Sequence, residues 1–142
     1  MSIEDTKLSK RRLKKRIRRL NSKKLYKSGL EAKFFNINGV GIKLYDEKQD
    51  AEYAHENQSL AADNSLGPQV FEKINVKGIG FGFITEIADT SIGDYWDINS
   101  EESKTLEAEL ADIGIYHYDL HDGNVGRING ETVCIDFGPV SS

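Results

Sequence analysis

The feature that most constrains this chain of 142 residues is a polar segment near its end, which is followed by a tight turn and an acidic residue. The segment covers residues 117–124 and includes Asp119, and Asp136 follows the pair Asn129-Gly130. Asn-Gly is a strong signal for a two-residue β-hairpin turn, because both residues tolerate positive φ. A hairpin here would return the chain beside the polar segment, so we expect Asp136 to lie opposite Asn124.

The oxygen-bearing side chains of this region suit phosphoryl transfer. That reaction needs a carboxylate beside the attacking hydroxyl and oxygen ligands for Mg²⁺, while the protein does little covalent work. Asp119 and Asn124 are five positions apart with Gly123 between them, which allows a compact loop that aims both side chains at one cleft. The plainer alternative is that His117 and Asp119 are structural polar residues in a turn.

The order and spacing of these residues resemble the protein-kinase-like superfamily. His117-Tyr118-Asp119-Leu120, followed by Asn124, is similar to the catalytic loop H-x-D-L-x-x-x-x-N, and Asp136-Phe137-Gly138 is similar to D-F-G. The resemblance implies that Asp119 is the catalytic base, that His117 supports the loop, and that Asn124 and Asp136 bind Mg²⁺. It covers roughly residues 22–138.

Two features of the chain differ from those of eukaryotic protein kinases. His121 replaces the lysine common in eukaryotic protein kinases, so D-L-H-x-x-N looks closer to small-molecule kinases, aminoglycoside phosphotransferase-like enzymes and bacterial or phage kinases. The role of His121 stays open between a substrate contact and packing within the loop. Four residues follow Gly138, and they contain no A-P-E motif. We therefore expect a minimal, truncated kinase-like protein. Its small size and compressed set of motifs favour a phage or mobile-element origin.

Lys43 is the candidate phosphate ligand in the first half of the chain. Asn38-Gly39 predicts a hairpin between residues 32–37 and 40–45. The resemblance implies that residues 40–45 form the third strand of the small lobe and that Lys43 contacts the α- and β-phosphates of ATP. Gly29 alone stands where a glycine-rich phosphate loop is expected. The alternative is that Lys43 is an exposed strand lysine.

A helix is predicted over residues 47–62. Asp46 and Gln49 fit a capping box at its start, and its apolar face is predicted to contain Ala51, Ala54, Leu60 and Ala61. The resemblance implies that a glutamate on this helix pairs with Lys43. Glu56 is the preferred candidate and Glu52 the alternative.

The predicted fold class is α+β. Strands are predicted at 70–74 and 83–89, and the resemblance implies that the main chain near Glu86 and Ala88 binds adenine. Leu106, Leu110 and Ile113 follow helical spacing before Gly114. We expect a basic arm (1–24) and a kinase-like domain (25–142) with a small lobe (25–88), a hinge (86–100) and a truncated large lobe (101–142).

The start of the chain is strongly basic. Residues 1–28 carry a formal charge of +10 and the remainder −14, which gives the net −4. Residues 5–20 predict a helix in which Leu13, Ile17 and Leu20 form a narrow apolar stripe. Three interpretations stay open: the stripe packs on the body with its charges solvated, the helix binds nucleic acid or another anionic surface, or it binds the acidic surface of a second copy.

Composition and the resemblance together define the expected function. Cys134 is the single cysteine, so an internal disulfide is excluded and a buried, inert thiol in a reducing, cytoplasmic setting is expected. No secretory signal or membrane-spanning run is expected. The resemblance implies an ATP- and Mg²⁺-dependent kinase that acts on a hydroxyl of a protein or small molecule. The alternative is a degenerate kinase-like module that binds a protein or nucleic acid, and a homodimer is compatible with either.

Overall fold

A five-stranded antiparallel sheet forms the centre of the fold. The computed structural model describes residues 10–28, 32–89, 101–116 and 125–137, and the structural statements below concern these ranges. The strands are β1 (Lys27–Ser28), β2 (Ala32–Ile37), β3 (Val40–Tyr45), β4 (Val70–Val76) and β5 (Gly80–Thr85). They lie in the order β1-β2-β3-β5-β4, and each neighbouring pair is antiparallel. The predicted α+β class is confirmed.

Three helices and a separate hairpin complete the described ranges. The helices are α1 (Lys10–Ser22), α2 (Lys48–Asp63) and α3 (Glu101–Asp112), and the hairpin consists of β6 (Val125–Ile128) and β7 (Glu131–Cys134). The beginning of the basic helix predicted over 5–20 lies outside the described residues. Within the described ranges, no helix combines the length and the apolar character that a bilayer crossing requires.

Both predicted Asn-Gly hairpins are present. Asn38 and Gly39 have φ angles of 53° and 83°, and Asn129 and Gly130 have φ angles of 52° and 83°. Two successive residues with positive φ match the twist of the flanking strands. The turns therefore set the registers Ile37–Val40 and Ile128–Glu131 at the inner ends of the two hairpins.

The start of α2 corrects one prediction. The N-cap is Glu47 in an extended conformation, and its side chain makes no capping hydrogen bond, so the predicted Asp46–Gln49 capping box is wrong. Asp46 lies one residue too early, because it precedes the residue whose side chain could reach the first free N–H groups.

The end of α2 is set by a local backbone motif. Ser65 has φ 60°, and the N–H groups of Ser65 and Leu66 donate to the carbonyls of Ala62 and Ala61 at 3.0 and 2.8 Å. This Schellman arrangement satisfies the last carbonyls and buries Leu66. The helix therefore ends before Gly67-Pro68.

The two faces of the sheet carry different cores. Strand residues alternate between faces, so Ile42 lies opposite Phe35 and Ile84, while its neighbour Lys43 lies opposite Phe34 and Phe83. The first face packs against Leu13 and Ile17 of α1, which are 1% and 0% exposed. The second face packs against α2, and α3 joins the same core beside the β6–β7 hairpin.

The basic helix is therefore part of the folded body. Its apolar stripe is buried on the sheet, which confirms that the stripe packs on the body, as the first interpretation of this segment states. This packing does not determine what the exposed basic side chains of the helix bind.

Leu13→Ala tests this docking against a matched control. The substitution removes a buried side chain beneath α1, so we expect the free energy of unfolding to fall by about 2–5 kcal/mol. Leu25→Ala removes the same atoms from a side chain that is 59% exposed, and we expect a change within about 0.5 kcal/mol. Urea unfolding measures both. Equal, small losses in the two variants would show that α1 does not dock on the sheet.

Candidate functional site

Lys43 is a buried cation at the centre of the sheet. It lies on β3 and is 8% exposed. Its Nζ donates to Gln58 Oε1 at 2.8 Å and to the carbonyl oxygen of Ile135 at 2.6 Å. The rings of Phe83 and Phe137 lie on either side, with centroids 5.9 and 5.7 Å from Nζ. The alternative of an exposed strand lysine is therefore wrong.

The environment of Lys43 changes its proton affinity. Burial lowers the pKa of the amine from 10.5 to about 8, and the nearby Asp136 carboxylate opposes this effect by favouring the charged form. One pKa unit corresponds to about 1.4 kcal/mol, so charging the buried amine at neutral pH costs about 3 kcal/mol relative to a solvated lysine. The two oxygen partners and the neighbouring carboxylate are what make this burial tolerable.

Gln58 is the helix residue that contacts Lys43. Besides accepting from Lys43, it donates from Nε2 to the hydroxyl of Thr85 at 2.7 Å and to the carbonyl of Pro68 at 3.1 Å. Its side chain is completely buried, and both ends of the amide are used. Glu56 and the alternative Glu52 are exposed, so the expected pairing of Lys43 with a glutamate is replaced by a pairing with a neutral amide.

The rotation of α2 about its axis explains why Gln58, and not the expected Glu56, contacts Lys43. The buried residues of this helix are Ala51, Ala54, Gln58, Ala61 and Ala62, which recur at intervals of three and four. Position 58 completes this stripe, whereas position 56 lies off it. Leu60, which was predicted on the apolar face, is 40% exposed. The small alanines were the available signal, because they mark the face on which a helix approaches a sheet closely.

Main-chain bonds hold the β6–β7 hairpin against the sheet and α2. Cys134 N–H donates to the carbonyl of Leu66 at 2.9 Å. Asp89 and Arg127 exchange two backbone hydrogen bonds of 2.9 Å. Gly126 allows close approach, since a Cβ there would lie 2.9 Å from the Cβ of Ala88. The chain after β7 is thereby brought to the amine of Lys43, which lies 92 positions earlier in the sequence.

The segment after β7 presents an acid beside this amine. Asp136 is exposed, yet close enough to raise the pKa of Lys43. Phe137 is 2% exposed and packs in the same core as α2, where a Cβ at Gly67 would lie 2.9 Å from the Phe137 ring. One side chain thus anchors the segment while its neighbour faces solvent. The resemblance implies that Lys43 and Asp136 share one site, and the structure brings the segment around Asp136 to Lys43, whose Nζ lies 2.6 Å from the neighbouring carbonyl of Ile135.

Cys134 is inert, as expected. The thiol is fully buried, and burial raises its pKa to about 12. Its Sγ lies 3.3 Å from the carbonyl oxygen of Asp136. A thiol that stays protonated is neither a nucleophile nor a metal ligand at physiological pH.

The chain after β5 forms a connector without regular structure. The N–H of Glu86 donates to the carbonyl of Gln69 at 2.9 Å, and Glu86 Oε1 accepts from the N–H of Gln69 at 3.1 Å. The carbonyl of Glu86 accepts one bond from the Thr85 hydroxyl at 3.0 Å. This carbonyl has a second lone pair, so it is the Glu86 main-chain group that can accept a further hydrogen bond. Ala88 is buried beside Gly126.

Several predicted site residues lie outside the described ranges. They are Gly29, His117, Asp119, His121, Asn124 and Gly138. Their roles stay predictions. Within the described ranges no group of three or more His, Cys, Asp or Glu side chains clusters as a metal site.

The comparisons leave the family open. The chain matches no protein-family model, and no curated protein matches it in sequence.

The pH dependence of stability tests the environment of Lys43. Because the pKa of the folded state lies below that of the unfolded chain, the unfolded chain binds more protons between about pH 8 and 10.5, and stability rises with pH there. We expect the free energy of unfolding of the wild type, relative to Lys43→Met, to rise by about 2 kcal/mol from about pH 7 to 9.5.

Denaturant unfolding at a series of pH values measures this difference. The titrations of all groups that the two proteins share cancel in it. The exposed Lys48, changed to Met, is the control and should give a flat difference. A flat difference for Lys43→Met as well would show that the amine is not desolvated.

Proposed function

We propose that this protein is an ATP- and Mg²⁺-dependent phosphotransferase of the protein-kinase-like type, which transfers the γ-phosphoryl group to a hydroxyl. The observation that carries the proposal is the contact between Lys43 and the segment that contains Asp136. A buried lysine with a lowered pKa beside a carboxylate is an arrangement typical of functional sites. It also joins the two sequence motifs that the resemblance assigns to phosphate and metal binding.

The arrangement of secondary structure supports the same proposal. A lysine on the third strand, a helix between the third and fourth strands, and a connector after the fifth are the elements that the resemblance implies for a small lobe. All are present in the described ranges. The connector bonds to the hairpin through Asp89 and Arg127, which holds the chain after Glu86 beside the β6–β7 hairpin.

Each side chain has a defined task in this proposal. Lys43 binds the phosphates of the nucleotide, and Gln58 positions Lys43. Asp119 accepts the proton of the attacking hydroxyl, while His117 supports the loop around it. Phosphoryl transfer requires the protein to position the phosphates and to neutralise their negative charge. A buried amine does both, because water screens its electrostatic field only weakly.

The donors fit magnesium. Mg²⁺ takes oxygen ligands, and it uses one or two protein groups together with phosphates and water rather than a full cage of side chains. Asp136 is an exposed carboxylate beside Lys43, and Asn124 would be the second ligand. When bound, the ion would neutralise phosphate charge.

Gln58 favours one alternative function. A glutamate at this position would stabilise the charged lysine, whereas an amide leaves the charge uncompensated apart from Asp136. A kinase-like fold with this change suits a nucleotide-binding module that recognises a partner and transfers no phosphate. Binding and transfer therefore need separate tests.

Thermal stability in Mg-ATP tests binding. At a hundredfold excess over the dissociation constant, a ligand that binds the folded state stabilises it by about 2.7 kcal/mol. We expect this stabilisation in the wild type and its loss in Asp136→Ala. Asp112→Ala removes an exposed carboxylate at the end of α3 and should keep the stabilisation. If Mg-ATP stabilises none of the three proteins, nucleotide binding is refuted.

Transfer of labelled phosphate from ATP, to water or to the protein itself, tests catalysis without a known acceptor. Asp119→Asn keeps the shape of the side chain but removes the base, so we expect the rate to fall by about 10²–10⁴-fold with unchanged ATP affinity. Asp112→Asn is the matched control. Wild-type protein that binds ATP but transfers no label would select the binding module.

A further inference from the structure

The exposed side of α1 is a fixed array of positive charge. Eight of its thirteen residues are basic and none is acidic: Lys10, Arg11, Arg12, Lys14, Lys15, Arg16, Arg18 and Arg19. The helix is held in place by its buried Leu13 and Ile17 and by a hydrogen bond from Arg16 to Asn38 Oδ1 of 3.0 Å. The charges are therefore presented by a rigid element, and a partner that binds them does not have to order it first.

A groove extends this array onto the sheet. It has a volume of about 560 Å³ and lies between α1 and the turn that joins β4 to β5. Lys14 and Arg18 of α1 and Lys77 of the turn line this groove, together with one acidic side chain, Asp46. In the described ranges, neither Lys14 nor Arg18 has an acidic side chain within 4 Å, whereas Lys10 is 3.3 Å from Glu72.

We propose that α1 and this groove bind the sugar-phosphate backbone of a nucleic acid. Closely spaced cations along one helix match the regular phosphates of such a chain, and releasing counterions from it supplies the free energy. The proposal goes beyond the phosphotransferase function and does not depend on it, because α1 covers the face of the sheet opposite to Lys43.

The structure disfavours insertion of α1 into a membrane surface. A helix that inserts into a membrane surface needs an exposed apolar face, and the stripe of α1 is buried in the sheet. Binding to the acidic surface of a second copy would give a concentration-dependent self-association, which the measurements below separate from nucleic-acid binding. Nucleic acid needs neither an apolar face nor a second copy.

Fluorescence anisotropy with the full chain tests the proposal. The probes are labelled single-stranded RNA, single-stranded DNA and duplex DNA, each at several salt concentrations between about 50 and 200 mM, and anionic lipid vesicles are measured in parallel. We expect binding to at least one nucleic acid that weakens steeply with salt. Which probe binds best distinguishes RNA from DNA.

Two charge-matched triple variants make the test specific. Lys14→Gln/Arg18→Gln/Lys77→Gln should lower affinity at least about tenfold, and each lost contact should flatten the salt dependence by about 0.9 in log–log slope for duplex DNA. Lys48→Gln/Lys73→Gln/Lys104→Gln removes the same charge from exposed positions elsewhere and should bind nearly as the wild type. Lys43→Met should also bind normally, which separates this proposal from the phosphotransferase.

Three results would overturn the inference. They are no binding to any of the nucleic acids at low salt, equal losses in the two triple variants, and binding to vesicles or self-association in place of nucleic-acid binding. Circular dichroism checks that the variants fold. If the groove variant does not fold, the wild-type salt dependence decides, because binding that does not weaken with salt excludes a phosphate interface.

Discussion

The bond between the Lys43 amine and the carbonyl of Ile135 is the interaction on which the rest of the structure depends. A cation removed from water needs oxygen partners, and Lys43 finds them in two segments that are distant in sequence. One is the buried stripe of α2, and the other is the chain that leaves the β6–β7 hairpin. Satisfying one amine therefore fixes how the helix, the sheet and the hairpin meet, and it puts Asp136 at the same place.

Lys43 is paired with a neutral side chain, and this determines the charge of the site. Gln58 is tied to Thr85 and Pro68 as well as to the amine, so it holds the lysine in one position without neutralising it. A carboxylate at position 58 would favour the charged form and keep the pKa high. With the amide, the pKa lies at about 8, and in the proposed function a phosphate would supply the missing negative charge. Such a site responds more strongly to an anionic ligand than a site that is already neutralised.

The sheet separates two kinds of surface. One face is covered by α2 and the hairpin and holds the Lys43 network within an apolar core, while the other face is closed by the leucine and isoleucine of α1. The second face stabilises the fold through apolar burial, and this offsets the cost of placing a charge in the first. Because one helix both closes the core and carries the basic array, the stability of the protein and the proposed binding of nucleic acid both depend on α1.

The sequence by itself determined what depends on neighbouring residues. Asn38-Gly39 and Asn129-Gly130 specified their hairpins because few other pairs adopt positive φ twice, and the spacing of Leu106 and Leu110 specified α3. The meeting of Lys43 with the Asp136 segment was also predicted, although from the family motifs and not from local signals. The tertiary structure alone decided that Gln58 rather than Glu56 accepts from Lys43, and that the basic helix closes the core. Both outcomes depend on the rotation of a helix against the sheet, which is set by the packing of small and apolar side chains from distant segments.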